Sequence, residues 1–436
     1  MADMWNPLLE TMDRRELEQL QVKKIRRLVR WSIDHVPFYS EKFQGIDPAS
    51  ITTLADVQTL PTTTKAELSS VQSRDDTLYG ELLAEEATNV ATYHQTSGTS
   101  GEPIKQADSR RDWEWWATNW ATVLWAAGIR PEDRVFIPFS YNVFIAFWAG
   151  HYACERIGAE VVPGGSFSSA ERISIIDHLS PTAMMTTPTY ALRLAEVAEQ
   201  EGLTPADTTI ERIVCAGEIG ASVPSTKDRI AERWGAVVYD HAGATETGAW
   251  GYDCGEGDAG IHFNESMFLV EILDPNGRPV EQGETGRLVV TPLDRRSQPV
   301  IRFEQGDHVV KGPTSECPCG RSYRVAPGGV LGRADDFKLV NGVLLSPRAI
   351  EDVIRGIDGL SDAYRVVLAE HEEKAIDVAT VIVEVREGAP DRCEQITTEL
   401  QTALQRASGL TFRIEIQNQG SLERSELKAE RIIDTR

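Results

Sequence analysis

From residue 134 to 240 the chain alternates short apolar runs with helical stretches four times. "RVFIPFS" precedes "FIAFWAGHYACERIG", and "AEVVPGG" precedes "SAERISIIDHLS". "AMMTTP" precedes "TYALRLAEVAEQEG", and "ERIVCAGE" precedes "STKDRIAERWG". Such βα repeats favour a parallel sheet covered by helices, with ligands gathering at the carboxyl ends of the strands. The pattern changes over residues 268–310, where "FLVEILD", "GRLVVTPL" and "HVVKG" between glycine turns predict antiparallel β. After "GRADDFKLVNG" comes a smaller α+β series: "SPRAIEDVIRGI", "AYRVVLAEH", "IDVATVIVEVRE" and "CEQITTELQTALQRAS". The expected fold is therefore α/β, divided near Gly332. A large N-terminal domain spans 1–333, with helix-covered parallel sheets and a β-rich subdomain at about 260–331, and a small α+β domain spans 334–436. A length of 436 residues agrees with more than one core.

Two further helices are expected before the repeat. Residues 14–36 carry Leu17, Leu20, Ile25, Leu28 and Ile33 at helical spacing, with Lys23, Lys24, Arg26, Arg27 and Arg30 as a solvated face or an anion site. Ser109 can cap a helix whose stripe of Trp113, Trp116, Trp120 and Leu124 reads as core, or as a ring-binding box.

The net charge of −23 opposes a nucleic-acid or anionic-membrane partner but leaves small anions open. No apolar run approaches 18 residues, and "MADMWNPLLETMDRRELEQL" has no signal core. Six cysteines form no disulfide scaffold, so a cytoplasmic enzyme is expected.

Several stretches resist explanation by burial. Thr96-Ser97-Gly98-Thr99-Ser100-Gly101 follows a predicted strand, "NVATYH". Its glycines let backbone N–H groups approach an anion and its hydroxyls add donors; a flexible linker would read alike. No Gly-Lys-Ser/Thr closes it, so it is not a Walker A loop. "YDHAGATETGAWG" places Glu246 after a predicted strand, where a carboxylate suits Mg²⁺, or simply faces water in a turn. Asp307 follows Gly306 at the start of an apolar run; an aspartate there can accept from both hydroxyls of a ribose, or merely terminate a turn. Arg333, Asp335 and Asp336 stand at the domain boundary, and Lys428 lies in a charged loop-to-helix segment.

In this order the motifs resemble the adenylate-forming superfamily of acyl-CoA synthetases, and most closely the phenylacetate–CoA ligase family, over residues 4–436. The resemblance implies that Thr96–Gly101 closes over ATP phosphates and that Ala216, Gly217 and Glu218 pack on adenine. Asp240, His241 and Ala242 would belong to the segment holding adenine and the α-phosphate, with Thr245 on phosphate and Glu246 on Mg²⁺. Asp307 and Arg333 would hold ribose or phosphate, and Asp335 would be the hinge of a mobile C-terminal lid. Lys428 would bridge carboxylate and phosphate. Two positions depart from the pattern. Glu102 replaces the usual lysine, with Lys105 three residues on, and Leu427 replaces the glycine of Pro-Arg-Ser-Glu-Gly-Lys.

The implied reaction converts a carboxylate to an acyl-adenylate and then to a coenzyme A thioester, releasing pyrophosphate and AMP. Lys428 and Mg²⁺ would offset the repulsion of two meeting anions. Phe139, Tyr141, Asn142 and Phe144 match the segment lining the aryl pocket, or else pack the core; Asn142 could bind a ring substituent. An aromatic acid is thus the expected substrate. A carrier-protein thiol, an amine or direct nucleotidyl transfer, as in coenzyme F390 synthetases, is the alternative acceptor chemistry. A non-catalytic nucleotide-binding regulator is a third reading, opposed by the joint presence of Glu246, Asp307 and Lys428. Cys254, His262, Cys317 and Cys319 offer a tetrahedral N/S set for structural zinc, or remain buried thiols. Cys154, Cys215 and Cys393 read as ordinary cysteines. Dimers are common in the family, so a homodimer is one expected state; the sequence leaves oligomerisation open.

Overall fold

The computed structural model describes residues 3–74, 77–96, 102–256, 260–314, 316–371, 376–386, 392–424 and 431–436. In chain order the first elements are α1 (Pro7–Glu10), α2 (Arg14–His35), α3 (Pro37–Lys42), α4 (Lys65–Gln72), β1 (Val90–Gln95), β2 (Lys105–Ser109) and α5 (Arg110–Ala126). The βα series follows: β3 (Arg134–Ile137), α6 (Ile145–Ile157), β4 (Glu160–Pro163), α7 (Ser169–Leu179), β5 (Ala183–Thr186), α8 (Pro188–Gln200), β6 (Arg212–Cys215) and α9 (Pro224–Trp234). Next come β7 (Val237–Ala244), β8 (Gly248–Tyr252), β9 (Ile261–Phe263), β10 (Phe268–Leu273), β11 (Thr285–Pro292), β12 (Phe303–Val310) and β13 (Val325–Ala326). The rest comprises β14 (Val330–Arg333), β15 (Lys338–Val340), β16 (Val343–Leu345), α10 (Pro347–Arg355), β17 (Leu360–Glu370), β18 (Asp377–Val385), α11 (Cys393–Ser408), β19 (Phe412–Asn418) and β20 (Ile432–Asp434).

The chain forms two compact units. One holds Met1–Ser166, Pro181–Met185 and Tyr239–Val330; the other holds Phe167–Ser180, Thr186–Val238 and Leu331–Arg436. In the first, β3 pairs in parallel with β4 and β5, as the βα repeat predicts. Its α2 starts where Asp13 accepts from the Arg15 N–H, ends before Pro37, and buries Leu17, Ile25 and Leu28. Gln21 shares that buried face because its amide donates to the Glu265 and Phe268 carbonyls at 2.8 and 3.1 Å. Lys24 and Arg27 pair with Asp294 at 2.6 and 2.8 Å, which occupies part of the basic face. Ser109 caps α5, and Trp113, Trp116, Trp120 and Leu124 are all buried as core.

Antiparallel structure begins earlier than the sequence pattern suggests. Glu246 does follow a strand, and "YDHAGATETGAWG" as a whole is a hairpin of β7 and β8, continued by β9 and β13. Strands β10, β11 and β12 form an antiparallel meander, and Asp307 lies inside β12 rather than in a turn.

In the second unit β6 leads through Ala216 to α9, while α10 and α11 cover a sheet ordered β19-β18-β17-β20. Its core includes Val366, Leu368, Val381, Val383, Ile396 and Leu400. The chain beyond Lys428 ends in strand β20, not a helix, because Ile432 and Ile433 pair in parallel with Val366 and Val367. Among the described residues no helix is long and apolar enough to cross a membrane.

Candidate functional site

The β7–β8 hairpin holds the densest set of functional candidates. Its register pairs Ala244 with Gly248, leaving Thr245, Glu246 and Thr247 as the connection. Two glycines make it possible. A Cβ on Gly243 would lie 2.7 Å from the Gly248 carbonyl oxygen, and Gly248 has φ +117 with the Trp115 ring 2.9 Å from where its Cβ would be. The Asn119 side chain of α5 accepts from the Ala249 N–H at 2.9 Å and ties the hairpin down.

Behind the connection lies an ion pair with no exposed surface. Arg295 donates to both oxygens of Asp108 at 2.7 and 3.2 Å, and to the Glu246 carbonyl at 2.7 Å. The Trp116 indole N–H also donates to Asp108, at 3.2 Å, beneath the guanidinium. The backbone of Glu246 is thereby fixed by a fork-shaped cation. Glu246 itself is buried, and among the described residues nothing hydrogen-bonds or ion-pairs with its carboxylate. A buried anion without a protein cation is stabilised by whatever cation binds beside it.

Strand β12 is tied to the same turn. Gln305 donates to Thr247 Oγ1 at 2.7 Å. The β11–β12 register slips between Arg287 and Val289, and Gly306 at φ +84 accommodates the bulge that presents half-buried Asp307. Asp240 is buried on β7 and Ala242 follows it; Thr245 is half-buried. His241 packs on Trp120, ring centroids 4.2 Å apart, and its Nδ1 lies 2.8 Å from the Gly251 carbonyl. Burial pushes its pKa down to about 4, so the neutral ring donates from Nδ1 and keeps Nε2 as an acceptor near Gly243. His94, stacked at 5.1 Å on Trp113, is likewise lowered to about 4 by burial and by Arg295.

Of the hydroxyl-rich loop, Thr96 is described. Its backbone and side chain both bond Ile104, closing the base of the β1–β2 hairpin. Ser97, Gly98, Thr99, Ser100 and Gly101 lie outside the described residues, as does Lys428. Glu102 accepts from Ser73 Oγ at 3.0 Å.

The aromatic segment packs on α6. Phe139 stacks on Phe147 at 4.5 Å, and Tyr141 Oη meets His151 Nδ1 at 3.1 Å, with burial pushing that phenol up. Phe144 caps α6. Asn142 is exposed in the left-handed region at φ +47, and its carbonyl accepts from the Trp148 indole at 2.9 Å.

In the second unit, Ala216 is buried and donates to Thr186, and Gly217 turns the chain at φ +92. The Glu218 carboxylate accepts from the Thr189 N–H at 2.7 Å and so caps α8, a structural use the sequence did not reveal; burial pushes its pKa up. Arg333 and Asp335 bracket the turn between β14 and β15, 3.9 Å apart.

A separate cluster gathers His262 of β9 with Cys254 after β8 and with Cys317 and Cys319 between β12 and β13. Cys254, His262, Cys317 and Cys319 are buried, and their ligand atoms all lie within 4.8 Å of one another. Cys254 and Cys317 Sγ are 3.6 Å apart, and Cys319 Sγ is 3.4 Å from His262 Nε2. Hydrogen bonding from Cys254 pushes the Cys319 thiol down, while neighbouring thiols raise His262 against its burial. Arg295, Asp108 and Gln305 escaped sequence reading: each is an isolated residue in no motif, brought together by pairing between distant strands.

The fold around this hairpin is that of an adenylate-forming enzyme. The chain matches the AMP-binding enzyme family over residues 20–292 and the AMP-binding enzyme C-terminal domain over 342–436, and it belongs to that family. It is an AMP-forming acid–thiol ligase, and enzymes of this class use ATP, Mg²⁺ and coenzyme A. It is 30% identical to the phenylacetate-coenzyme A ligase of Thermus thermophilus, over 99% of this chain and 100% of that one. The phenylacetate-coenzyme A ligase of Escherichia coli is also 30% identical, over 98% of this chain and 97% of the relative. Crystallised 2-hydroxyisobutyryl-CoA ligase with R3-HIB-AMP, in the postadenylation state, superposes at a TM-score of 0.94 and 30% identity, over 99% of this chain and 92% of that one. The same relative with 2-HIB-AMP and CoA in the thioesterification state, 31% identical over the same shares, gives 0.74.

Proposed function

We propose that the enzyme activates an aryl or arylacetic carboxylic acid as its adenylate and transfers the acyl group to coenzyme A. The observation that supports this most is Glu246, a buried carboxylate with no cation partner among the described residues, on a turn that Arg295 fixes. In this reading Glu246 holds the Mg²⁺ of the nucleotide, and Thr245 and the Thr96–Gly101 loop bind phosphate. Asp307 accepts from the ribose, Arg333 binds ribose or phosphate, and Ala216 and Gly217 face adenine. Asp240, His241 and Ala242 belong to the same nucleotide segment. Glu218, already engaged by Thr189, contributes backbone rather than charge. Lys428 bridges the acid and the α-phosphate, and residues 334–436 act as a lid pivoting at Asp335.

The carboxylate attacks the α-phosphorus, pyrophosphate leaves, and the thiol then displaces AMP from the mixed anhydride. The neutral His241 adds no charge beside the adenylate. Phe139, Tyr141 and Phe144 favour an aryl ring through their faces; the relative acting on 2-hydroxyisobutyrate makes small hydroxy acids the natural comparison. Pyrophosphate release should be measured with aryl, arylacetic and short hydroxy acids, with and without CoA. CoA-dependent turnover of an aromatic acid supports the proposal. Turnover restricted to aliphatic acids would overturn the substrate class, a persistent AMP-modified product would overturn the acceptor, and no release at all would overturn the reaction.

We also propose that Cys254, His262, Cys317 and Cys319 hold one structural zinc. Tetrahedral zinc with sulfur bonds of about 2.3 Å needs ligand atoms about 3.8 Å apart, and the 3.4 and 3.6 Å separations suit it. Its effect would be to neutralise a buried thiolate set and lock the 317–320 turn. Metal analysis of chelator-free protein tests this, with about one zinc per chain expected.

A further inference from the structure

Among the described residues, several charged and polar groups of residues 346–424 meet helices α8 and α9 of the same unit. From α9, Arg229 and Arg233 donate to Asp362 of β17 at 3.1 and 2.5 Å, and Arg355 of α10 joins them at 3.1 Å. At the first turn of α9, the Ser225 N–H and Thr226 hydroxyl bind Asp352 and Glu351 at 3.1 and 3.0 Å. On α8, Glu196 accepts from Arg424 Nε and Nη2 at 3.3 and 3.2 Å and from Arg193 at 2.8 Å.

The other side of Arg424 is anchored within its own sheet. Glu384 of β18, which has no exposed side-chain surface, accepts from Arg424 Nη1 and Nη2 at 3.0 and 2.8 Å. It also accepts from the Gly420 and Leu422 N–H groups at 3.1 and 2.5 Å and from Ser361 Oγ at 2.9 Å. Against the effect of burial, these donors hold the Glu384 carboxyl below its ordinary range. Arg424 therefore sits between two glutamates of different character. Glu384 is multiply satisfied and internal to its fold. Glu196, on α8, meets the C-terminal sheet through Arg424.

We propose that Glu196 and Arg424 form a catch that positions the C-terminal sheet for adenylation and opens for thioester formation. This rests on the function proposed above. Arg424 stands four residues before Lys428, at most roughly 14 Å of chain, so fixing it limits where the lysine can reach. A catch made of hydrogen-bonded charges can part without exposing hydrocarbon, as an element that must alternate requires. Arg424 and Glu196 are positioning residues; neither is placed on substrate.

The test uses the full-length enzyme and separates the half-reactions: acid-dependent ATP–pyrophosphate exchange, and thioester formation from supplied acyl-adenylate and CoA. Glu196→Gln keeps the shape and removes the charge. It should lower kcat of exchange roughly tenfold with KM for ATP and acid unchanged, the scale of one charge-assisted hydrogen bond, and leave thioester formation equal or faster. Glu196→Asp should retain part of the exchange. Raising NaCl from about 0.05 to 0.5 M should slow wild-type exchange but not that of Glu196→Gln, because screening acts on the pair already lost. An unchanged melting temperature certifies the fold. Equal loss of both half-reactions, or loss of neither, would overturn the catch. Absence of exchange in the wild type with every acid would instead overturn the adenylation reading, and the catch with it.

Discussion

Asp108→Asn is the sharpest test of how Glu246 is held. Asp108 and Arg295 have no exposed side-chain surface and are joined by two hydrogen bonds at 2.7 and 3.2 Å. Replacing the carboxylate leaves a guanidinium buried without its counter-charge, which costs about 3–5 kcal/mol. In a unit of this size about 2 °C of melting temperature accompanies each kcal/mol, so a fall of roughly 6–10 °C is expected. The functional consequence is separate. Arg295 also fixes the Glu246 carbonyl at 2.7 Å, so a reoriented guanidinium loosens the turn that aims the carboxylate. Misplacement by about 1 Å at a reacting centre costs up to about 100-fold in rate. Scanning calorimetry reads the first effect; pyrophosphate release against Mg²⁺ concentration reads the second, with the half-saturating Mg²⁺ concentration rising as the rate falls. A variant that melts with the wild type and shows its Mg²⁺ dependence would refute both the buried-pair energetics and the link to Glu246. A variant that loses stability but keeps its Mg²⁺ dependence would refute the link alone.

Three other outcomes are expected. Lys428→Ala should abolish adenylate formation and spare thioester formation from supplied acyl-adenylate; equal loss of both steps excludes that role. Cys317→Ser should bind less than about 0.2 zinc per chain and melt below the wild type, whereas Cys215→Ser should keep the metal; full zinc retention by Cys317→Ser rules out the cluster. His241, depressed to about 4 from an ordinary 6.5 by burial, favours the folded state while neutral. That contribution is complete above pH 6.5 and is lost as pH falls toward 4, by roughly 3 kcal/mol at 1.36 kcal/mol per unit. His241→Phe should therefore flatten the fall of melting temperature between pH 6.5 and 4, and an unaltered slope would count against the buried neutral ring.

What the sequence reveals and what it hides divide along a physical line. The βα repeat was legible because each unit carries its own periodicity, and β3–β6 with α6–α9 stand where the pattern puts them. Glu246 and Asp307 stood out in the sequence beside glycines that a close hairpin and a bulge require. Their settings were not. Both sit within antiparallel structure whose pairing depends on contacts between distant segments, such as Gln305 with Thr247. Arg295 has no local signal at all: it is one of two adjacent arginines after β11, and only complete burial against Asp108 distinguishes it from half-buried Arg296. The same holds for Glu196 and Glu384, ordinary acids in a chain of net charge −23 until one arginine is placed between them. Motifs thus mark where a ligand's groups must be met, because that chemistry fixes residue types. The residues that hold those motifs still are fixed only by geometry, and any buried charge pair of the right length would serve. A sequence alone therefore names the acid proposed to meet the metal more readily than the arginine that holds its backbone.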